Sequence, residues 1–269
     1  MPFLTRGWLA LVTGASSGIG ETFATVLAEH GLDLVLTARS EDRLRALADD
    51  LAARYGVRVD VIPLDLAERG APARLFAATE GRGLRPDLLV NNAGMGSLGS
   101  FTGASLDRHL SLIRVNVEAL VSLSRLYLPA MLERRSGGIV NVSSVAGFQP
   151  LPHFGLYGAS KAFVTSFSTA LWAECRDSGV RVTAVAPGPV AGTRFGLEED
   201  VGMGPFGLYM LPRRAVVEVA LRGLEQHEPI VVAGALNVLE AAAVRFVPRR
   251  PLLVVTEALL RGLGRGGRT

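Results

Sequence analysis

The sequence predicts an α/β fold, a single domain in which a doubly wound, seven-stranded parallel sheet carries helices on both faces. Short apolar runs alternate with segments of helical period along most of the chain, as expected for parallel strands joined by helices. The first apolar run leads directly into a glycine-rich turn, TGASSGIG, which opens a helix. We find no linker, repeat or low-complexity stretch that would divide the chain.

Seven apolar runs predict the strands, which we assign to residues 8–12, 33–38, 57–66, 86–94, 139–142, 180–190 and 229–234. Helical periodicity predicts helices after the glycine turn, after Ser40, and over residues 106–132, 157–178 and 213–226. Residues 190–211 are rich in glycine and phenylalanine and show little periodicity. We interpret them as a loop or short lid helix that covers the substrate.

The composition narrows the class of protein. The chain of 269 residues is 49% hydrophobic and 20% charged, as is typical of a globular protein. Its net charge is +3 and its arginines are spread beside acids, so nucleic-acid binding is not indicated. The single cysteine, Cys175, excludes an internal disulfide, and the scattered histidines predict no metal site. With no signal peptide or membrane-spanning helix expected, we predict a cytoplasmic location.

The glycine turn has the spacing G-x-x-x-G-x-G, through Gly14, Gly18 and Gly20. Between a strand and a helix, such a turn lets backbone N–H groups approach a pyrophosphate at the positive end of the helix. The alternative is a tight turn without a ligand, and the strand–turn–helix context favours the nucleotide.

The end of the second strand bears on the choice of nicotinamide cofactor. Dinucleotide-binding folds place an acid there to bind the ribose 2′-hydroxyl, or an arginine to accommodate a 2′-phosphate. Here the chain has Ala38 and Arg39, which favours NADP(H) over NAD(H). The alternative is that Arg39 is only a solvated residue before the next helix. Asp65 lies at the carboxyl end of the third strand and is placed to hydrogen-bond the adenine.

Tyr157 and Lys161 are four residues apart, which on a helix places a phenol beside an ammonium group. Because a positive charge favours phenolate, we expect Lys161 to lower the pKa of Tyr157 from about 10. The phenol could then transfer protons near neutral pH. Lys161 is the only lysine in a chain that otherwise uses arginine. The alternative is a chance pair on a helix surface.

Seven motifs occur in a fixed order: TGASSGIG, LDL with Asp65, NNAG, Asn116, Ser144, YGASK and PGPV. Over residues 7–234 the chain thereby resembles the classical short-chain dehydrogenase/reductase family. The resemblance implies a Rossmann-like fold and an NAD(P)-dependent oxidoreductase acting on a CH–OH group.

The resemblance also implies a role for each member of a catalytic tetrad. Tyr157 is the general acid in reduction and the base in oxidation, while Lys161 lowers its pKa and holds the nicotinamide ribose. Ser144 hydrogen-bonds the substrate oxygen. Asn116 supports a water that relays protons to Lys161.

Cofactor and substrate contacts follow from the same motifs. The expected cofactor-binding residues are Thr13, Gly14, Ser16, Ser17, Gly18, Ile19, Gly20, Arg39, Asp65, Leu66, Asn91, Ala93, Gly94, Tyr157, Lys161, Pro187, Gly188, Val190 and Thr193. The expected substrate-binding residues are Ser144, Phe154, Tyr157 and Phe195. Further candidates for the pocket lining are Met95, Gly96, Phe148, His153, Phe206, Tyr209 and Met210. This lining predicts an apolar carbonyl or alcohol as the small-molecule substrate.

We divide the chain into a dinucleotide-binding and catalytic domain, residues 1–234, and an apolar helical extension of the same domain, residues 235–269. The extension packs on the domain or a second subunit in one interpretation. In the other it lies on a lipid surface, with Arg245, Arg249 and Arg250 at its rim. The resemblance further implies a homodimer or homotetramer, formed through the helix around Asn116 and the helix that begins near Tyr157.

The leading hypothesis is therefore an NADP(H)-dependent carbonyl reductase or alcohol dehydrogenase. Two alternatives stay open at this point. One is a non-catalytic NADP(H)-binding regulator, since a fold does not fix a function. The other is a membrane-peripheral enzyme that reduces a lipid.

Overall fold

The computed structural model describes residues 3–192 and 210–263. Within them, seven strands form one parallel sheet in the order β3-β2-β1-β4-β5-β6-β7. The strands are β1 (Leu9–Thr13), β2 (Asp33–Thr37), β3 (Val59–Val61), β4 (Leu88–Asn91), β5 (Gly137–Val142), β6 (Val180–Pro187) and β7 (Ile230–Ala233). The predicted fold class is confirmed.

Helices connect the strands and cover both faces of the sheet. They are α1 (Gly18–Glu29), α2 (Glu41–Tyr55), α3 (Ala71–Glu80), α4 (Leu106–Ile113), α5 (Ala119–Glu133), α6 (Gly155–Cys175), α7 (Arg213–Glu225), α8 (Ala235–Ala243) and α9 (Arg249–Leu263). The sequence analysis did not assign α3. Among the described residues, no helix combines the length and apolarity needed to cross a membrane.

The strands are apolar on both sides because each side is buried by helices. Val12 and Leu36 pack with Phe23 of α1 in one core cluster, while Leu11 and Val35 belong to a second cluster that includes Leu123 of α5 and Leu171 of α6. Neighbouring residues of one strand thus enter opposite cores. The strand order reverses between β1 and β4, which opens a crevice at the carboxyl ends of the strands, where ligands bind in such sheets.

The strands predicted over residues 86–94 and 180–190 end earlier in the structure, at Asn91 and Pro187, and two further elements differ more markedly. The third strand is shorter than predicted and ends at Val61. Backbone hydrogen bonds toward β2 continue past this point, from Ile62 N to Leu36 O and from Leu64 N to Ala38 O, both at 3.0 Å. The helix predicted over residues 106–132 is interrupted by a π-helical turn, Arg114–Glu118, between α4 and α5. That turn contains Asn116, and single π-turns of this kind are frequent at functional sites.

Candidate functional site

The turn between β1 and α1 fits an anion such as a pyrophosphate. Gly14 and Gly18 have φ of 67° and 63°, in the left-handed region that favours glycine. A Cβ on Gly20 would lie 2.3 Å from the carbonyl oxygen of Gly14, so the turn has no room for a larger residue. Ser17 precedes α1 without a side-chain cap, which leaves the first N–H groups of the helix available to a ligand.

Thr13 fastens this turn to the end of β4. Its hydroxyl donates to Val90 O (3.2 Å) and accepts from the backbone N–H groups of Asn92 and Ala93 (3.0 Å each). Asn92 Nδ2 donates in return to Thr13 O at 2.8 Å. The hydroxyl of Thr13 is thus engaged within the fold, and Asn92, which was not among the predicted site residues, helps to hold the two strand ends together.

A small cavity beside this junction brings predicted cofactor residues together. Thr13, Leu66, Asn91 and Ala93 all line it. Asn91 Nδ2 is held by Asn141 Oδ1 at 2.9 Å, whereas its buried Oδ1 accepts no hydrogen bond from the described residues. A buried amide oxygen normally accepts a hydrogen bond, so a ligand or a water that carries a donor would satisfy Asn91 Oδ1.

Arg39 and Asp65 follow neighbouring strands at the same edge of the sheet. Arg39 is exposed directly after β2 and forms no ion pair with the described residues. Asp65 Oδ1 accepts from the N–H of Ala67 at 2.9 Å, so one carboxylate oxygen shapes its own loop. Among the residues that the structure describes, no group of three His, Cys, Asp or Glu side chains could hold a metal ion.

Asn116 links the π-turn to α6 and to the loop after β4. Its Oδ1 accepts from Met95 N at 2.7 Å, and its Nδ2 donates to Met95 O and to Ser160 Oγ, both at 2.9 Å. Ser160 Oγ in turn donates to Tyr157 O at 2.7 Å. The side chain is 1% exposed. Through Ser160, Asn116 therefore holds the backbone of Tyr157 in the first turn of α6.

Ser144 and Tyr157 meet across the end of β5 and the first turn of α6. The Ser144 hydroxyl hydrogen-bonds the Tyr157 phenol, and it also accepts from the N–H of Ala146 at 3.1 Å. The ring of Phe154 lies 4.4 Å from the Tyr157 ring, centroid to centroid. Both Ser144 and Tyr157 are buried. The site thus holds two hydroxyl groups side by side, the alcohol of Ser144 and the more acidic phenol of Tyr157.

Lys161 lies one turn further along α6, as the spacing predicted. Its Nζ donates to Val142 O at 2.7 Å and lies 5.8 Å from the centroid of the Tyr157 ring. Burial lowers the pKa of Lys161 to about 8. A lysine can titrate in this range where an arginine cannot.

The predicted lowering of the Tyr157 pKa is wrong for the structure as it stands. Burial raises the pKa of Tyr157 well above its usual value, and only the Ser144 hydrogen bond opposes that rise. The reason is geometric, because the Lys161 ammonium is hydrogen-bonded to the backbone of β5 rather than to the phenol. Tyr157 is accordingly a protonated phenol throughout the neutral range.

The loop after β6 completes the edge of the crevice. A Cβ on Gly188 would lie 2.5 Å from Nδ2 of Asn237, a buried residue of α8 that also donates to Ala233 O at 2.6 Å. Asn237 was missed by sequence reasoning, and its only signal was a polar residue in an apolar helix. Val190 pairs with Leu211 in an isolated bridge.

The structure brings most of the predicted site residues to one edge of the sheet. Gly94 belongs to this group, since a Cβ on it would lie 3.6 Å from Lys161 Nζ and 3.7 Å from Asn116 Oδ1. Thr193 and Phe195, predicted for cofactor and substrate, lie outside the described residues, as do Phe206 and Tyr209.

Known proteins are similar to this chain over the part that contains most of these site residues. The profile of the short chain dehydrogenase family matches residues 9–200. Very-long-chain 3-oxoacyl-CoA reductase of Anas platyrhynchos is 40% identical over 190 residues, which span 69% of this chain and 60% of that protein. NADP-dependent 3-hydroxy acid dehydrogenase YdfG of Salmonella typhi is 38% identical over 188 residues, 70% of this chain and 74% of that protein.

Solved structures show the same likeness. A short-chain dehydrogenase from Sphingobium yanoikuyae in complex with NADPH is 34% identical and superposes with a TM-score of 0.78, over 89% of this chain and 94% of that chain. A 7beta-hydroxysteroid dehydrogenase is 27% identical, with a TM-score of 0.84 over 98% of this chain and 100% of that chain. The profile match extends over most of the sheet and the tetrad. The chain therefore belongs to the short-chain dehydrogenase family and is an NAD(P)-dependent oxidoreductase.

Proposed function

We propose that this protein is an NADP(H)-dependent carbonyl reductase or alcohol dehydrogenase for an apolar substrate, with Tyr157 as its acid and base. The observation that carries the proposal is the buried hydrogen bond between Ser144 and Tyr157, with the Lys161 ammonium one helical turn away. A proton donor, a second hydroxyl and a cation lie together at the carboxyl edge of the sheet.

In reduction, the carbonyl carbon would receive a hydride, which is the chemistry that NADPH would supply when bound. Tyr157 gives its phenolic proton to the carbonyl oxygen, so that hydride and proton together convert C=O to CH–OH. Ser144 donates to the same oxygen and stabilises the negative charge that develops there. A phenol with a raised pKa is fully protonated at neutral pH, which suits the donor state that this direction requires.

Lys161 and Asn116 support that proton transfer. The Lys161 ammonium stabilises the phenolate left on Tyr157, because an opposite charge nearby favours the ionised form. Asn116 is a positioning residue: it bonds Ser160, which bonds the carbonyl of Tyr157, and so holds the first turn of α6 in register with the loop after β4. A water supported by Asn116 would relay a proton to Lys161, and this would restore the proton that Tyr157 has given up.

NADP(H) is the favoured cofactor. After β2 the chain has the exposed Arg39, which can accommodate a 2′-phosphate. It has no acidic residue there, which would repel that group. The similar enzymes YdfG of Salmonella typhi and the Sphingobium yanoikuyae dehydrogenase are NADP-dependent and NADPH-bound, respectively.

Replacing Arg39 tests that choice. We expect Arg39→Ala to weaken NADPH binding roughly ten- to a hundredfold, the usual worth of a charged hydrogen bond, and to leave NADH binding nearly unchanged. Fluorescence titration of both cofactors measures this. Arg45→Ala, an exposed residue of α2 paired with Glu41, is the matched control and should change neither affinity. Equal losses for NADPH and NADH would remove the 2′-phosphate assignment.

The substrate proposal rests on the apolar residues around the phenol. Phe154 contacts the Tyr157 ring, and Leu151, Leu156 and Met95 pack against the same cluster. The experiment that tests the proposed function is a screen of apolar ketones and aldehydes for NADPH oxidation by the purified protein. Turnover supports the enzyme. Tight NADPH binding without turnover across a broad panel would favour the non-catalytic regulator instead.

We infer a homodimer or homotetramer from apolar residues exposed on α4, α5 and α6. These are Leu110, Ile113, Leu132 and Phe163. Phe163 is 41% exposed and stacks on Phe167 with the ring centroids 5.9 Å apart. Isologous contact between such helices would bury these side chains.

A charge placed on this surface tests the oligomer. We expect Phe163→Glu to lower the sedimentation coefficient to that of a smaller species, because a buried unpaired carboxylate opposes association. Sedimentation velocity measures this directly. Ala53→Glu, at an exposed residue of α2, is the control. An unchanged sedimentation coefficient for Phe163→Glu would exclude α6 as the interface.

A further inference from the structure

The C-terminal segment, defined as α8 and α9 with the turn between them, presents an apolar surface outward. In α8 the polarity is inverted, because Asn237 faces the domain at 7% exposure while Leu236 and Leu239 are 57% and 65% exposed. Its one charged residue, Glu240, is hydrogen-bonded to Gln149. A helix that packed only against its own domain in water would show the opposite arrangement.

In α9 the exposed stripe is also apolar. Pro251, Val254, Val255 and Ala258 are all exposed, and their spacing of three, one and three residues places them on one face of the helix. Val254 is 67% exposed. An exposed apolar stripe of this kind marks an interaction surface.

The turn between the two helices adds another exposed apolar residue. Phe246 is 87% exposed, and Arg249 and Arg250, three and four residues later, are exposed at the start of α9. An exposed phenylalanine beside two arginines combines an apolar anchor with positive charge.

Charge is distributed unequally between this segment and the rest of the chain. Residues 244–269 contain six arginines and one glutamate, a net charge of +5, which leaves −2 for residues 1–243 of a chain whose total is +3. The positive charge of the protein is therefore concentrated in the C-terminal part of its sequence, which includes the exposed Arg249 and Arg250.

We propose that the C-terminal segment docks on an anionic lipid surface. In this arrangement Leu239, Phe246 and Val254 would insert into the hydrocarbon region of the bilayer. Arg249 and Arg250 would pair with the lipid phosphates. A second copy of this chain fits less well. A symmetric contact would bring together two segments that each contain four arginines and two glutamates, a net charge of +2 over residues 235–263, and like charges facing each other oppose association.

Vesicle co-sedimentation of the full chain tests the proposal. We expect the protein to pellet with vesicles of phosphatidylcholine and phosphatidylglycerol, to pellet less with phosphatidylcholine alone, and to be released by salt. Arg249→Glu/Arg250→Glu should lower the partition coefficient by roughly tenfold or more. Val254→Ser/Val255→Ser should lower it on both kinds of vesicle, because it removes buried apolar area.

A matched control and a fold check accompany these variants. Arg69→Glu/Arg85→Glu makes the same charge change at two exposed residues flanking α3, and should pellet like the wild type. NADPH affinity, measured on every variant, should be unaltered and so report an intact fold.

Two results would overturn the proposal. One is a wild-type chain that does not pellet with anionic vesicles, or that pellets no better than Arg249→Glu/Arg250→Glu. The other is an oligomer that Leu236→Ser/Leu239→Ser converts to monomer in sedimentation velocity, together with no vesicle binding. The latter would assign the surface to a second copy of the chain.

Discussion

Replacing Tyr157 by phenylalanine should reduce kcat for carbonyl reduction by about 10²- to 10⁴-fold, the usual contribution of a positioned general acid. The substitution removes only the hydroxyl that Ser144 contacts and keeps the ring that packs against Phe154. We therefore expect NADPH to bind the variant almost as it binds the wild type. Single-turnover oxidation of bound NADPH, followed at 340 nm as in routine assays, would be slowed while equilibrium binding persists.

The chain offers a matched control in Tyr127. It is likewise a buried tyrosine, its hydroxyl lies 2.8 Å from Thr79 Oγ1, and burial raises its pKa to about 12. Tyr127→Phe therefore makes the same chemical change in the core between α3 and α5. It should cost about 1 kcal/mol of stability and leave kcat near that of the wild type. Normal turnover by Tyr157→Phe would refute the assignment of Tyr157 as the acid.

Lys161→Arg should lower kcat about 10²-fold although the positive charge is kept. Lys161 is 3% exposed and its Nζ fits within 2.7 Å of Val142 O, a place shaped for a compact ammonium. A planar guanidinium cannot take that position and still face the Tyr157 phenolate. The expected loss is similar to removal of one charge-stabilising donor from an active site. Rates near those of the wild type would show that any cation suffices.

The pH profile gives Lys161 a second, independent signature. Below its pKa of about 8 the group is an ammonium, and above that pH it becomes neutral and no longer stabilises phenolate. We therefore expect kcat/KM for reduction to be flat on the acid side and to fall as pH rises through about 8. Lys161→Arg should lack this limb, because a guanidinium does not titrate there. A wild-type profile that stays flat up to about pH 10, near the ordinary pKa of a lysine, would contradict this role.

The fold was predictable because its signals are local and repeated. Most of the apolar runs precede a segment of helical period, and the turn at Gly14 and Gly18 stands between a strand and a helix, the context in which a glycine motif is meaningful. The spacing of Tyr157 and Lys161 likewise placed both side chains on one face of α6, as the structure shows. Periodicity and spacing carry this information without any knowledge of the tertiary contacts.

What could not be predicted depends on contacts between distant residues. The π-turn at Asn116 is stabilised by both backbone groups of Met95, which no helical pattern reveals. The raised pKa of Tyr157 reflects complete burial and the orientation of Lys161 toward Val142, and spacing gives only proximity. Asn237 contacts Gly188 from a helix far along the chain, so its position beside the site could not be predicted from the sequence either.

The contacts of α8 have a consequence for where this protein can be cut. Asn237 fills the space beside Gly188, and Glu240 accepts a hydrogen bond from Gln149 at 3.0 Å, so this helix packs on the segments that follow β5 and β6 as well as presenting an outward surface. A chain ended after Gly234 would lose these contacts beside the site together with the tail. We therefore expect such a truncation to lose activity for reasons unrelated to lipid, and only point substitutions on the outer face can separate the two roles.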